Sequence, residues 1–153
     1  MSDFRVLCRV ITHDPARGSI LLVRNNGQDW WCAPGGGWDH RQETVLECAK
    51  REVFEEAGIE VSIARFLYTQ TLYIKAQSST WLELFWLARP VGTVEIPKSH
   101  VDHFGVVDEA RWFTQEDLQR VTAYPEIIKG PFFWDNISEI SEKSDRYLGH
   151  FML

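Results

Sequence analysis

Three consecutive glycines, Gly35, Gly36 and Gly37, stand just ahead of residues 44–57, a stretch that contains neither Gly nor Pro and is stopped by Gly58. Rich in Glu, Ala, Leu and Lys, that stretch reads as a helix with a glycine C-cap. The glycine run before it carries no side chains, so its backbone can approach a ligand closely. At about 100° per residue, Glu52 and Glu56 fall one turn apart with Glu55 beside them, and Val45, Leu46, Ala49, Val53 and Ala57 form an adjoining apolar stripe. The helix is therefore expected to press its apolar side on a sheet and turn an acidic edge toward a cleft.

An acidic helix edge alone is usually a solvated face. Here the glycine run changes the reading, because like charges at i and i+4 destabilise a helix by a few tenths of a kcal/mol and call for a compensating partner. A hard dication suits three carboxylates: magnesium prefers oxygen ligands, keeps several waters and is commonly held by one or two carboxylates plus substrate phosphates. Such an ion also screens a diphosphate and polarises water and phosphorus. Arg51, within a turn of Glu47 and Glu55 and next to Glu52, can hold carboxylates in one rotamer.

The spacing is more specific than the chemistry. Residues 37–59 place Gly37, Glu43, Arg51, Glu52, Val53, Glu55, Glu56, Gly58 and Ile59 in one frame: G, five residues, E, seven residues, then R-E-V-F-E-E-A-G-I. This is the Nudix box, and the chain resembles the Nudix hydrolases. The resemblance implies an α/β fold, the Nudix-type α/β/α sandwich with a mixed sheet, over roughly residues 4–120. It implies a divalent cation, usually Mg2+ with Mn2+ as the alternative, and cleavage of a phosphoanhydride in a small nucleotide or nucleoside diphosphate-linked metabolite. By the same resemblance Glu52, Glu55 and Glu56 are metal ligands, joined by a carbonyl from the glycine loop, while Arg51 and Glu43 orient them. The loop before Glu43 is one residue longer than in many members, so both the Gly36 and the Gly37 carbonyl stand as candidates. The alternative to an enzyme is a Nudix-like domain that senses a ligand or binds a partner without turnover; such domains commonly lose a box carboxylate, and none is lost here.

Size and charge bound the rest. The 153 residues suit a single domain over 1–153. A net charge of −6 with no basic run disfavours general nucleic-acid binding and anionic membranes. No apolar run reaches membrane-spanning length, Arg5 and Arg9 interrupt any signal-peptide core, and a cytoplasmic location is the expectation. Cys8, Cys32 and Cys48 lack metal-site spacing and read as unpaired thiols. Alternation predicts strands at 4–11 and 20–24 joined as a hairpin, a second hairpin from 61–74 and 80–88, a last strand at 109–113, and a capping box at Thr114 opening a helix to about residue 120. Residues 138–145 read as a polar connector. The apolar cluster at 131–134 is expected to cap the core, with cleft closure and a homodimer contact as the other roles.

Substrate contacts must come from outside the box. Arg5 and Arg9 share one strand face, where a guanidinium suits a pair of phosphate oxygens. Trp30, Trp31 and Trp38 flank the glycine loop, and Trp38 is the candidate for a contact near the phosphates; Trp81, Trp86 and Trp112 fall on strands, where packing is expected. Asp102, His103 and Asp108 are the groups available as an assisting acid or base from the loop before the last strand. The proline that marks the ADP-ribose subtype is missing, and Tyr73 falls near the tyrosine position of the diadenosine polyphosphate subtype. The expected partner is a small nucleotide or nucleotide sugar.

Overall fold

Strand β1 (Asp3–Asp14) organises the sheet because it is long enough to belong to two pairings. From Asp3 to Thr12 it runs parallel to β6 (Ser79–Pro90). At His13 and Asp14 it pairs antiparallel with β2 (Ser19–Asn25). The computed structural model describes residues 3–98, 100, 102, 105–138 and 147–153, the side chains of 147–150 excepted. The expected N-terminal hairpin thus survives only as two rungs, and the reason is competition for an edge. A three-residue glycine strand, β4 (Gly35–Gly37), already pairs with β1 at Leu7, Cys8 and Arg9. Strand β2 diverges instead to pair with β3 (Trp31–Cys32) and β7 (Val107–Thr114).

Beyond β6, β5 (Val61–Ile74) pairs antiparallel and β9 (Tyr147–Met152) lies parallel to β5. The second predicted hairpin is therefore present. At the opposite end of the sheet, β8 (Ala123–Tyr124) runs parallel to β3. The sheet mixes parallel and antiparallel neighbours, as the α/β reading requires.

Period-two alternation sends the two faces of β1 and β2 into separate cores. Cys8, Val10 and Leu21 pack with Cys48, Ala49, Val53 and Ala57 of helix α1 (Val45–Ala57). Ile11, Ile20 and Leu22 face Leu118 of the short helix α2 (Gln115–Leu118) and Phe133 and Ile137 of α3 (Pro131–Ile137). Thr114 closes the predicted capping box, donating and accepting with Asp117, and α2 ends at Leu118 rather than near residue 120. The 131–134 cluster caps the core: Phe133 is fully buried and Trp134 packs against the same cluster. Arg65 and Arg89 donate to the Asn136 and Ile137 carbonyls at the C-terminal end of α3, where positive charge is favoured.

Helix α1 ends at Gly58 as its sequence predicts and begins at Val45, with Thr44 as its N-cap rather than its first residue. Thr44 accepts the Glu47 N–H at 3.2 Å, and Gly58 closes the helix in the left-handed region at φ 70°. One position of the apolar stripe differs: Leu46 is 44% exposed, whereas Cys48 is buried in its place. Cys48 occupies the side that meets β1, and Leu46 lies beyond the edge of that contact. The three cysteines are free thiols. Residues 139–146, including most of the expected connector, lie outside the described residues. Among the described residues no helix is long and apolar enough to cross a membrane.

His13 is buried at the corner of β1, edge-on to Trp134, and its Nδ1 has no hydrogen-bond partner. Burial first, and the nearby Arg89 charge second, push its pKa down from 6.5 to about 4. The folded protein therefore binds fewer protons than the unfolded chain between these values, so stability is present above pH 6.5 and is lost as pH falls through that window. On the order of 3 kcal/mol should disappear by pH 4. In urea titrations across this range, a His13→Leu variant should lose that part of the pH dependence; an unchanged slope would reject the assignment.

Candidate functional site

The glycine strand β4 lies between β1 and α1 because no side chain fits on it. A Cβ at Gly35 would come within 2.0 Å of the Cys8 carbonyl and 2.8 Å of the Arg9 Cδ. A Cβ at Gly36 would stand 2.5 Å from Glu52 Oε1 and 2.8 Å from Oε2, so the carboxylate of Glu52 occupies the space that any larger residue would fill. At Gly37 the same position would be 2.6 Å from Arg5 Nη2. Gly35 is thus required by backbone, whereas side chains at positions 36 and 37 would displace the movable ends of Glu52 and Arg5.

Arg51 ties the box together. Its Nε and Nη2 donate to the two carboxylate oxygens of Glu43 at 2.8 and 2.7 Å, a bidentate fork. Nη1 donates to Glu52 Oε1 at 2.9 Å and to Glu55 Oε2 at 3.1 Å, and Nη2 lies 3.4 Å from the Gly37 carbonyl. This bond to Arg51 holds the Glu43 carboxyl below its usual range. Glu52 behaves in the opposite sense: burial raises its pKa, against the pull of Arg51. Glu56 accepts the Gly35 N–H at 3.1 Å, and burial pushes its pKa up to about 8 against the opposing charge of Arg9.

The three carboxylates are brought to one helix edge but do not share one point. Among the described residues no three His, Cys, Asp or Glu groups converge at ligand spacing. Glu52 and Glu55 share the Arg51 Nη1, whose charge offsets theirs, while Glu56 is held by a backbone amide. The donor set nevertheless fits a hard dication. It consists of carboxylate oxygens and glycine carbonyls, its buried members carry negative charge that burial disfavours, and the Glu52 carboxylate rests in a cradle that only Gly36 leaves free. The Gly37 carbonyl faces Arg51 and the Cys48 thiol, and the Gly36 carbonyl is 4.0 Å from that thiol.

The candidate substrate contacts separate. Arg5 crosses the glycine strand and lies over the Trp81 ring at 5.7 Å. With Trp38, His40, Arg41 and Gln42 it lines an open groove of about 720 Å³ beside Gly37. Trp38 is fixed there by donating its indole N–H to the Glu43 carbonyl at 2.9 Å. Arg9 is on the same strand face, but its Nε donates to Glu83 and its Nη1 lies 3.5 Å from the Gly35 carbonyl. Trp31 is buried in the core and Trp30 packs edge-on to Tyr124. Trp86 and Trp112 pack against the α1 core, as expected for strand residues.

On the other flank, a cavity of about 140 Å³ is lined by Glu56, His100, Asp102, Asp108 and Glu109 among others. Asp102 accepts the Val106 and Val107 N–H groups, each at 2.9 Å, and so shapes the turn into β7. Asp108 pairs with Arg24 at 3.0 Å. His103 lies outside the described residues. Three residues escaped the sequence reading. His100 reaches the Glu55 carbonyl at 2.7 Å, and the buried Glu83 accepts from both Arg9 and Gln70. Glu83 had a visible signal, being a lone acid in the apolar strand segment Leu82-Glu83-Leu84-Phe85.

Comparison with known proteins places this geometry. A family model described as "NUDIX domain" matches residues 4–131. An NAD-capped RNA hydrolase of Caenorhabditis elegans is 29% identical over 112 residues, covering 69% of this chain and 27% of the relative. An RNA pyrophosphohydrolase of Actinobacillus succinogenes is 34% identical over 59 residues, covering 39% of this chain and 29% of the relative. The chain thus spans under a third of the length of these curated relatives. A solved structure of a NUDIX hydrolase from Nitrosomonas europaea superposes with a TM-score of 0.68 at 15% identity, over 94% of this chain and 91% of that one, and so shares its fold.

A Gly36→Ala substitution tests the cradle. Since the clash is with the end of one side chain, the fold should hold, with Tm within about 4 °C of the parent. The displaced Glu52 carboxylate should cost at least tenfold in hydrolytic turnover. Parental turnover in a folded variant would show that Glu52 does not need that position.

Proposed function

Because this chain belongs to the NUDIX family of hydrolases, we propose that it is a divalent-cation-dependent pyrophosphohydrolase that cleaves a phosphoanhydride in a small nucleotide or nucleoside diphosphate-linked metabolite. The observation that carries the reading is the box constellation itself: Arg51 donates to Glu43, Glu52 and Glu55 together, beside a glycine strand whose missing side chains admit the Glu52 carboxylate.

In this reading Glu52, Glu55 and Glu56, with the carbonyl of Gly36 or Gly37, hold Mg2+ or Mn2+. The bound ion would neutralise the diphosphate and make water a better nucleophile. Glu43 and Arg51 act as positioning residues: the bidentate fork fixes the guanidinium, which then sets Glu52 and Glu55. Glu52, whose carboxylate lies in the Gly36 cradle and is held by Arg51, is placed to receive the proton released when water attacks phosphorus and the P–O bond to the leaving phosphate breaks. Glu55, on the same arginine nitrogen, is the other group placed for that task.

Arg5 and Trp38 supply the substrate contacts. A guanidinium over the glycine strand and a fixed indole beside it suit a compact group carrying phosphate and a planar base or a sugar, and a groove of about 720 Å³ matches a small-ligand site. The substrates so described are soluble metabolites of the cytoplasm. A second reading, hydrolysis at an RNA 5′ end, is favoured by the names of the two curated relatives. The chain's acidity and lack of a basic run weigh against a long polyanion.

Two measurements decide these points. Glu52→Gln should leave the fold intact and reduce turnover by on the order of a hundredfold or more, and excess chelator should abolish it. Full activity under either condition removes the metal-carboxylate reading in favour of other chemistry, whereas no turnover of any substrate by the parent favours a non-catalytic Nudix domain. In a panel of nucleoside diphosphate sugars, dinucleotides and NAD-capped or triphosphate-ended RNA, the small compounds should be cleaved with the higher kcat/KM. Cleavage of RNA ends with none of any small compound would replace the substrate assignment and leave the metal chemistry standing.

A further inference from the structure

A row of buried polar groups crosses four neighbouring strands beneath the glycine loop. Gly35 on β4 is paired with Arg9 on β1, Arg9 donates to Glu83 on β6, and Glu83 is paired in register with Gln70 on β5, whose amide donates to it at 2.9 Å. Glu83 is only 3% exposed and Gln70 7%. An ion pair in such a place is not explained by stability, since well-packed apolar residues commonly do as well. Its location is informative. The Arg9 Nη1 is 3.5 Å from the Gly35 carbonyl, while the N–H of that same glycine donates to Glu56 at 3.1 Å. Arg9 thus stands one residue away from a buried carboxylate to which the proposed function gives a metal.

We propose that Glu83 is a positioning residue which, braced by Gln70, holds the Arg9 guanidinium away from Glu56 and so keeps that carboxylate available to a divalent cation. Two buried anions are within reach of one cation. A carboxylate bonded directly to Nε fixes the outcome in favour of Glu83, and the missing side chain of Gly35 leaves room for the Arg9 stem. If Glu83 lost its charge, Arg9 would be left to the carboxylates on the α1 side, of which Glu56 accepts from the same Gly35 that Arg9 reaches, and arginine would compete with the metal there. The pair is therefore a device that keeps an intrinsic inhibitor out of the site.

This inference rests on the divalent-cation reading above, and the test separates the two. Mn2+ affinity of the metal-free protein is measured by calorimetry for the parent, for Glu83→Gln and for the double variant Arg9→Met with Glu83→Gln, with thermal melts alongside. Glu83→Gln should weaken Mn2+ binding at least tenfold. The double variant, which contains no arginine to compete, should return to within about threefold of the parent. A purely structural role predicts the reverse order, with the double variant no better than the single. Should Glu83→Gln not fold, the double variant still decides, because near-parental affinity supports the device and lost affinity overturns it. Parental affinity in folded Glu83→Gln also overturns it while leaving the cation reading in place. Absence of Mn2+ binding by the parent removes both.

Discussion

The separation between the glycine strand and helix α1 is the constraint on which the site depends. Backbone on one side and a carboxylate on the other meet across Gly36 with no room for a methyl group. That closeness makes the Gly35 amide a donor to Glu56 and leaves Gly36 as the cradle of Glu52. It also explains why the N-terminal strands cannot form a long hairpin: the edge of β1 that β2 would need is held by three residues without side chains. The arrangement of the sheet and the chemistry of the loop follow from one contact.

Charge in the site is arranged in two storeys. Around the cleft, Arg51 gathers Glu43, Glu52 and Glu55; below it, Arg9 is engaged by Glu83. The two arginines face five carboxylates once Glu56 is included, and burial raises the proton affinities of Glu52 and Glu56 against the pull of those arginines. A guanidinium is suited to both storeys because its planar fork meets several oxygens at fixed angles and it keeps its charge when buried. A lysine has three donors but no planar fork, so it could not grip both oxygens of Glu43 while also reaching Glu52 and Glu55.

Much of this was legible in the chain. The helix and its glycine C-cap, the capping box at Thr114 and the second hairpin follow from local periodicity and glycine placement, and local rules suffice where the partner residues are near in sequence. The box residues were legible for another reason, their fixed spacing. What periodicity could not reveal were pairings between distant strands. Leu46 looked like part of an apolar stripe because its position on the helix is right, yet β1 ends the contact short of it. Arg9 looked free to meet a phosphate because its partner is 74 residues away. Trp31 looked close to the cleft because it is near the loop in sequence, while the alternation of β3 turns it into the opposite core.

The separation of 74 residues between Arg9 and Glu83 also bears on how the protein acquires its site. Helix α1, its caps and the Arg51 fork are made of residues within a few turns of one another and can form early, whereas the parallel alignment of β1 with β6 must await chain that lies far downstream. Loop-closure entropy opposes that alignment until many contacts are made together. The groups of the acidic helix are therefore local in the chain while the loop set against them depends on distant strands, and the site becomes competent only as the sheet closes.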